Sequence, residues 1–189
     1  MTQLALDTPA PGLTPRPLVV GLDLSLTSTG VAGEGWTDRI RTKLRGDERL
    51  RHLVGAVAPF VKAADLVVME GPSYGHAALA GHEDLAGLRV LVRQFCYRQS
   101  IPYAVIPPST LKLYATGYGK ASKGEVRSAV ADLYGVYTEG AARYDEADAY
   151  VAMAAGMAWL GYPLAAVPER NGKALAGCAW PTTPVAVAR

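Results

Sequence analysis

Apolar residues fall along this chain in short blocks of two different periods, and the two kinds of block alternate. Leu18-Val19-Val20-Gly21-Leu22-Asp23-Leu24 is almost continuously apolar, the mark of a strand covered on both faces. Ser25 to Gly30 reads as a hydroxyl-rich turn, and Val31-Ala32 and Ile40 to Leu44 as the next two strands. Three short strands with tight connections predict an antiparallel meander. From about Asp47, a fair N-cap, the period becomes helical: Leu50, Leu53, Val54, Val57 and Val61 share one face. Leu66-Val67-Val68-Met69-Glu70 is a second buried-type strand, stopped by Gly71-Pro72. A helix over Glu83 to Gln99 follows, then a strand over Pro102 to Ile106 ended by Pro107-Pro108. Lys112 to Lys120 reads as a glycine-rich basic segment. Helices are predicted over Lys123 to Tyr134 and Tyr144 to Leu160, the last one ended by Gly161 and Pro163. This order predicts one α/β domain over 18–161, with a mixed sheet: the meander on one edge, parallel strands and crossover helices on the other. Residues 1–17 hold four prolines and read as a flexible arm. Residues 162–189, with Trp180, read as a tail packing on or near the domain.

Composition changes this picture little. Half of the 189 residues are apolar, enough for a sizeable core, and the net charge of +2 excludes neither nucleic acid nor small molecules as partners. Cys96 and Cys178 make neither a disulfide framework nor a zinc spacing, and no stretch reads as a membrane span or a leader. A cytoplasmic protein without membrane association is the expectation. The distribution of charge says more. Lys112, Lys120, Lys123 and Arg127 cluster around Gly117-Tyr118-Gly119, suited to following a phosphate backbone. Arg39, Arg41, Lys43, Arg45, Arg49 and Arg51 have only Asp47 and Glu48 to offset them. Arg39, Arg41 and Lys43 alternate, which puts them on one face of an exposed strand, where a DNA arm is favoured over a purely solubilising role.

Four carboxylates stand out. Asp23 interrupts an apolar strand whose faces both look covered, so it needs a hydrogen-bond partner or a metal. Glu70 repeats the pattern at the carboxyl end of its strand, where ligands gather in α/β sheets. Asp145 and Asp148 stand at i and i+3 in the first turn of the last long helix, so their side chains project together. Each acid alone has a bland explanation: a helix N-terminus for Asp145 and Asp148, a turn brace for Asp23. Four together repel one another unless cations occupy the site. The oxygen-only donor set points to Mg²⁺ or Mn²⁺ rather than zinc. Two such ions roughly 3.5–4 Å apart could activate a water and stabilise the leaving oxygen of a phosphodiester.

These segments resemble a known family. Gly21-Leu22-Asp23-Leu24-Ser25-Leu26-Thr27-Ser28-Thr29-Gly30 resembles the first strand and turn of RuvC-type Holliday junction resolvases, members of the RNase H-like nucleases. Val67-Val68-Met69-Glu70 resembles their second acidic strand, and Tyr144-Asp145-Glu146-Ala147-Asp148-Ala149 their closing helix. The resemblance runs from about Val19 to Gly161 in consistent order. It implies an RNase H-like fold, a homodimer, and Mg²⁺-dependent nicking of opposed strands at a four-way DNA junction. It further implies that Asp23, Glu70, Asp145 and Asp148 bind metal, two ions per site, and that Lys112 and Lys123 act near the scissile phosphate. The family's aromatic wedge after the glutamate is displaced here: Ser73 holds the expected offset and Tyr74 follows it. Tyr74, Tyr114 and Tyr118 are candidates for stacking on bases.

The helix over Glu83 to Gln99 bears on assembly. Leu85, Leu88, Val92 and Phe95 make one apolar stripe, while Val90, Leu91 and Tyr97 lie off it, so a second face is apolar too. A partner subunit would bury that face, and so would the C-terminal tail. Other readings are a nuclease for flaps or forks, a non-cleaving junction-binding protein of the same fold, and an actin-like or sugar-kinase ATPase. The last needs two such domains, which 189 residues cannot supply, so no nucleotide cofactor is expected. His52, His76 and His82 lack ligand spacing and take no role.

Overall fold

A computed structural model describes residues 16–72 and 81–182. Its centre is one five-stranded sheet formed by β1 (Val19–Asp23), β2 (Ser28–Gly33), β3 (Trp36–Arg41), β4 (Leu66–Glu70) and β5 (Tyr103–Ile106), in the order β3-β2-β1-β4-β5. The first three strands pair antiparallel, and β4 and β5 join β1 in parallel. The sheet is therefore mixed, with the meander on one side. Helix α1 (Gly46–Val61) and helix α2 (His82–Arg98) make the crossovers and cover one face, over a core that includes Leu22, Leu53, Met69, Leu88 and Val92. The other face is covered by α5 (Arg143–Trp159), flanked by α3 (Pro108–Thr116) and α4 (Lys123–Tyr134), over Val19, Leu66, Val68, Tyr114, Met153 and Met157. With helices on both faces the central strands are buried throughout, which explains their continuous apolar runs. No described helix is long and apolar enough to cross a membrane.

Three features differ from the expectations. The second and third strands start earlier: β2 takes in Ser28 to Gly30, which read as turn in the sequence, and a two-residue turn, Glu34-Gly35, starts β3 at Trp36, with Gly35 at φ 78°, which glycine alone adopts cheaply. As a result β3 ends at Arg41 rather than Leu44, so Arg39 and Arg41 lie on the strand and Lys43 lies beyond it. The hydroxyls of the preceding turn hold it shut. Ser25 Oγ accepts from the Thr27 and Ser28 amides, and Thr29 Oγ1 donates to the Ser25 carbonyl.

Lys112 is not in a loop but in α3, which the Pro107-Pro108 pair hides. Pro108 begins that helix, where its missing N–H costs nothing, and Gly117 ends it at φ 78°. The basic residues thus split between α3, a short turn holding Lys120, and α4. Past α5 the chain forms α6 (Glu169–Lys173) and a 3₁₀ turn over Ala174–Gly177. Trp180 then stacks on Trp159 with ring centroids 4.7 Å apart, and its indole N–H donates to the Leu175 carbonyl.

Candidate active site

The sheet register brings Asp23 and Glu70 together. Leu22 pairs with Met69 across parallel strands, so one further residue sets Asp23 beside Glu70 at the carboxyl ends of both. Alternation turns Gly21 and Asp23 on β1, and Val68 and Glu70 on β4, toward the α5 face. The same parity puts Leu22 and Met69 in the opposite core.

Asp145 and Asp148 reach this place because α5 lies unusually close to the sheet. A Cβ on Gly30 would overlap the Asp145 carbonyl oxygen, and one on Gly21 would overlap the Ala149 carbonyl. At the far end, a Cβ on Gly156 would press into Val68 and Val19. Two strand glycines and one helix glycine therefore set the height of the helix, and with it that of its first turn. Thr37 of β3 donates to the Glu146 carboxylate (3.0 Å), tying the same turn sideways. Arg127 and Thr138 steady its approach: Arg127 Nε donates to the Thr138 carbonyl, and Thr138 Oγ1 to that of Arg143.

Lys123 enters from α4. A capping box fixes the start of that helix, with the Ser122 hydroxyl accepting from the Glu125 amide and the Ser122 amide donating to the Glu125 carboxylate. The first helical residue is Lys123, whose Nζ sits 3.6 Å from Asp145 Oδ1 and 3.6 Å from Asp148 Oδ2. All four acids act on this ammonium. Burial alone would lower its pKa, but Asp148, Asp23, Asp145 and Glu70 together raise it.

Asp23, Glu70 and Asp148 are perturbed in the opposite sense to ordinary ion-paired acids. Burial, reinforced by Asp148, pushes Glu70 up to about 7 against the pull of Lys123, Lys112 and Arg89. Asp23 is raised well above the usual carboxylate range by burial and then by Glu70 and Asp148. Burial also raises Asp148, with Lys123 and Lys112 opposing. The arrangement is a half-buried cluster of like charges whose repulsion Lys123, Lys112 and Arg89 offset only in part. Among the described residues no three His, Cys, Asp or Glu side chains are already drawn into a metal-holding group. The donor chemistry nonetheless suits a hard divalent cation: the converging side chains offer carboxylate oxygens and no imidazole or thiol.

Of the other candidates, Lys112 acts electrostatically on Glu70 and Asp148 from α3. Tyr118 and Lys120 are exposed in the α3–α4 turn, whereas Tyr114 is buried, with its hydroxyl 3.4 Å from the Ala154 carbonyl. That burial removes Tyr114 from the stacking candidates. Tyr74 lies outside the described residues. On α2, Val90 and Leu91 stay 47 % and 42 % exposed, while Trp180 is engaged on α5.

One residue was overlooked in the sequence. Arg89 of α2 acts electrostatically on both Glu70 and Asp23, and its Nε is buried without a hydrogen-bond partner among the described residues. Its only signal was a charged residue next to Leu88 in the buried stripe. The glycines that seat α5 carried no signal at all.

No protein-family model matches the sequence, and no curated protein matches it. Solved structures do. One of Thermus thermophilus RuvC superposes with a TM-score of 0.60 at 21 % identity, over 79 % of this chain and 99 % of that one. Another, of T. thermophilus RuvC in complex with Holliday junction substrate, gives 0.62 at 20 % identity with the same coverage. The chain shares its fold with RuvC. The RuvC-like core is the RNase H-like mixed sheet with strand order β3-β2-β1-β4-β5, and almost the whole length of RuvC is represented in it.

Proposed function

We propose that this protein is a metal-dependent endonuclease for branched DNA, with the four-way junction as its substrate. The observation that carries the reading is the convergence of Asp23, Glu70, Asp145 and Asp148 from β1, β4 and α5 around Lys123, on a fold shared with RuvC. A RuvC of that fold has been captured with a Holliday junction substrate.

The four carboxylates would hold Mg²⁺, or Mn²⁺ in its place, two ions per site. When bound, the ions supply Lewis-acid polarisation of the phosphodiester and charge compensation at its leaving oxygen. The chain's own groups do the rest. Asp23 and Glu70, held side by side by the sheet, fix one side of the donor set, and the α5 pair fixes the other. Lys112 and Lys123 place positive charge beside the reacting phosphate. Lys120, Arg127 and the ring of Tyr118 extend the contact along the DNA on the α3–α4 side, and Arg39, Arg41 and Lys43 on the β3 side. Arg127 does so with the guanidinium nitrogens left after Nε binds Thr138.

Opposed nicks in a symmetric junction require two sites related by a two-fold axis. The exposed Val90 and Leu91 face of α2 supports a homodimer about that helix. The test is incubation with Mg²⁺ and a panel of four-way junction, flap, fork, linear duplex and ATP. Nicks confined to the junction support the reading. Preference for flaps or forks would move it to another branched substrate, and ATP hydrolysis without nicks would end it.

A further inference from the structure

The geometry points to a specific path for the DNA strand: it runs across the sheet, with Arg39 and Arg41 of β3 holding the phosphates on one side of the scissile bond and Lys112 of α3 holding those on the other. This rests on the nuclease reading and adds to it a direction and a division of labour.

The register carries the inference. Asp23 pairs with Gly30, and Gly30 pairs with Arg39, so the three stand in one row across β1, β2 and β3. Directly paired residues face the same side of a sheet, so Arg39 projects from the same face as Asp23. Two pairings put their Cα atoms about 10 Å apart. Gly30 between them has no side chain, and the Asp145 carbonyl rests above it. Arg39 therefore flanks the acids on the far side of Asp145. Arg41 pairs with Ser28, one step further toward the carboxyl end of β1, on the same face. Thr37, also of this parity, bonds to Glu146 of α5, which independently confirms the facing of β3. Both arginines are exposed. On the opposite side of the acids, α3 follows β5 at the other edge of the sheet and carries Lys112, whose charge is felt at Glu70 and Asp148. Positive groups thus bracket the carboxylates across the strands, not along them.

Edge strands often carry charge merely to block pairing with another sheet. That role makes no distinction between phosphates on the two sides of a nick, and the experiment uses this difference. Four-way junctions carrying one neutral methylphosphonate, at successive positions on each side of the nick, are bound in EDTA and cut in Mg²⁺ by wild type, Arg39→Gln, Arg41→Gln and Lys112→Gln. Each neutralised contact phosphate should weaken wild-type binding by about ten-fold, as expected for a hydrogen bond to a charged group. In Arg39→Gln or Arg41→Gln the penalty should vanish on one side only, and in Lys112→Gln on the other side only. Arg39→Lys, which keeps the charge, should retain the salt dependence and guards against a folding defect. Penalties that persist in both arginine variants, or that vanish on the same side as for Lys112→Gln, overturn the path. If no substrate is cut, the nuclease reading fails, while the binding penalties, counted from the junction centre, still show whether the arginines and Lys112 contact phosphates on opposite sides of one point in the strand.

Discussion

Replacing Glu70 by Gln should make the metal-free protein more stable at alkaline pH and flatten its dependence on pH. Burial and Asp148 lift the Glu70 carboxyl from 4.5 in the unfolded chain to about 7 in the fold. A carboxyl raised in the folded state favours folding when protonated. Its stabilising contribution is complete below 4.5 and is lost as pH rises through about 7. Ionising it inside the fold therefore costs about 3 kcal/mol. For a chain of this size that amounts to a loss of about 10 °C in Tm on going from about pH 5 to about pH 8 in EDTA. Asp23 and Asp148 are raised as well and add to the loss in the same direction. In Glu70→Gln the Glu70 share disappears, so at alkaline pH the variant should melt above wild type. Mg²⁺ should raise Tm in wild type and do so much less in the variant. Thermal unfolding followed by circular dichroism, with and without Mg²⁺, reads all three effects. A variant that melts below wild type at about pH 8 in EDTA, with an unchanged pH profile, would refute the picture of a repelling carboxylate cluster.

Other outcomes follow from the same geometry. Gly30→Ala puts a Cβ into the Asp145 carbonyl, which cannot yield as a side-chain tip could; it should cost about 1–3 kcal/mol in denaturant unfolding and abolish nicking. Unchanged stability would mean that α5 does not depend on this contact. Lys112→Ala and Lys123→Ala should each slow cleavage, and each should lower the slope of log affinity against log salt by about 0.9. Equal slopes in wild type and both variants would place these lysines away from phosphate. Leu91→Glu should turn a dimer into a monomer in light scattering, since it puts a charge on the exposed apolar face of α2; a wild type already monomeric at high concentration contradicts the dimer.

The strand acids were legible as candidates in the chain because burial left a trace, whereas their pairing across β1 and β4 comes from the sheet register. Asp23 and Glu70 each break an apolar run of the kind a doubly covered strand makes; the sequence pattern puts Asp23 within its strand, and the structure ends β1 at that residue. Asp145 and Asp148 were legible from helical spacing. What stayed hidden depends on backbone proximity, which has no periodic signature. The contacts of Gly21, Gly30 and Gly156 with their neighbours across the sheet–helix interface are of this kind. Helix α3 was hidden because a proline pair ends a strand and begins a helix equally well. The end of β3 was misplaced for a related reason: the two-residue turn at Gly35 starts the strand earlier than apolar residues alone suggest. Arg89 shows the limit of a hydrophobic stripe, since its place beside Leu88 says nothing of the acids it faces.

The central claim is that the four-carboxylate cluster carries metal-dependent cleavage of branched DNA, and one comparison tests it most directly. Wild type and Asp23→Asn are mixed with an immobile four-way junction labelled in turn on each strand, binding being measured in EDTA and nicking after addition of Mg²⁺. The account predicts that both proteins bind the junction in EDTA, because the substitution leaves every lysine and arginine in place. Only wild type should nick it once Mg²⁺ is added, with paired cuts in opposed strands. Nicking by Asp23→Asn at the wild-type rate, or cuts by wild type that need no divalent cation, would contradict it.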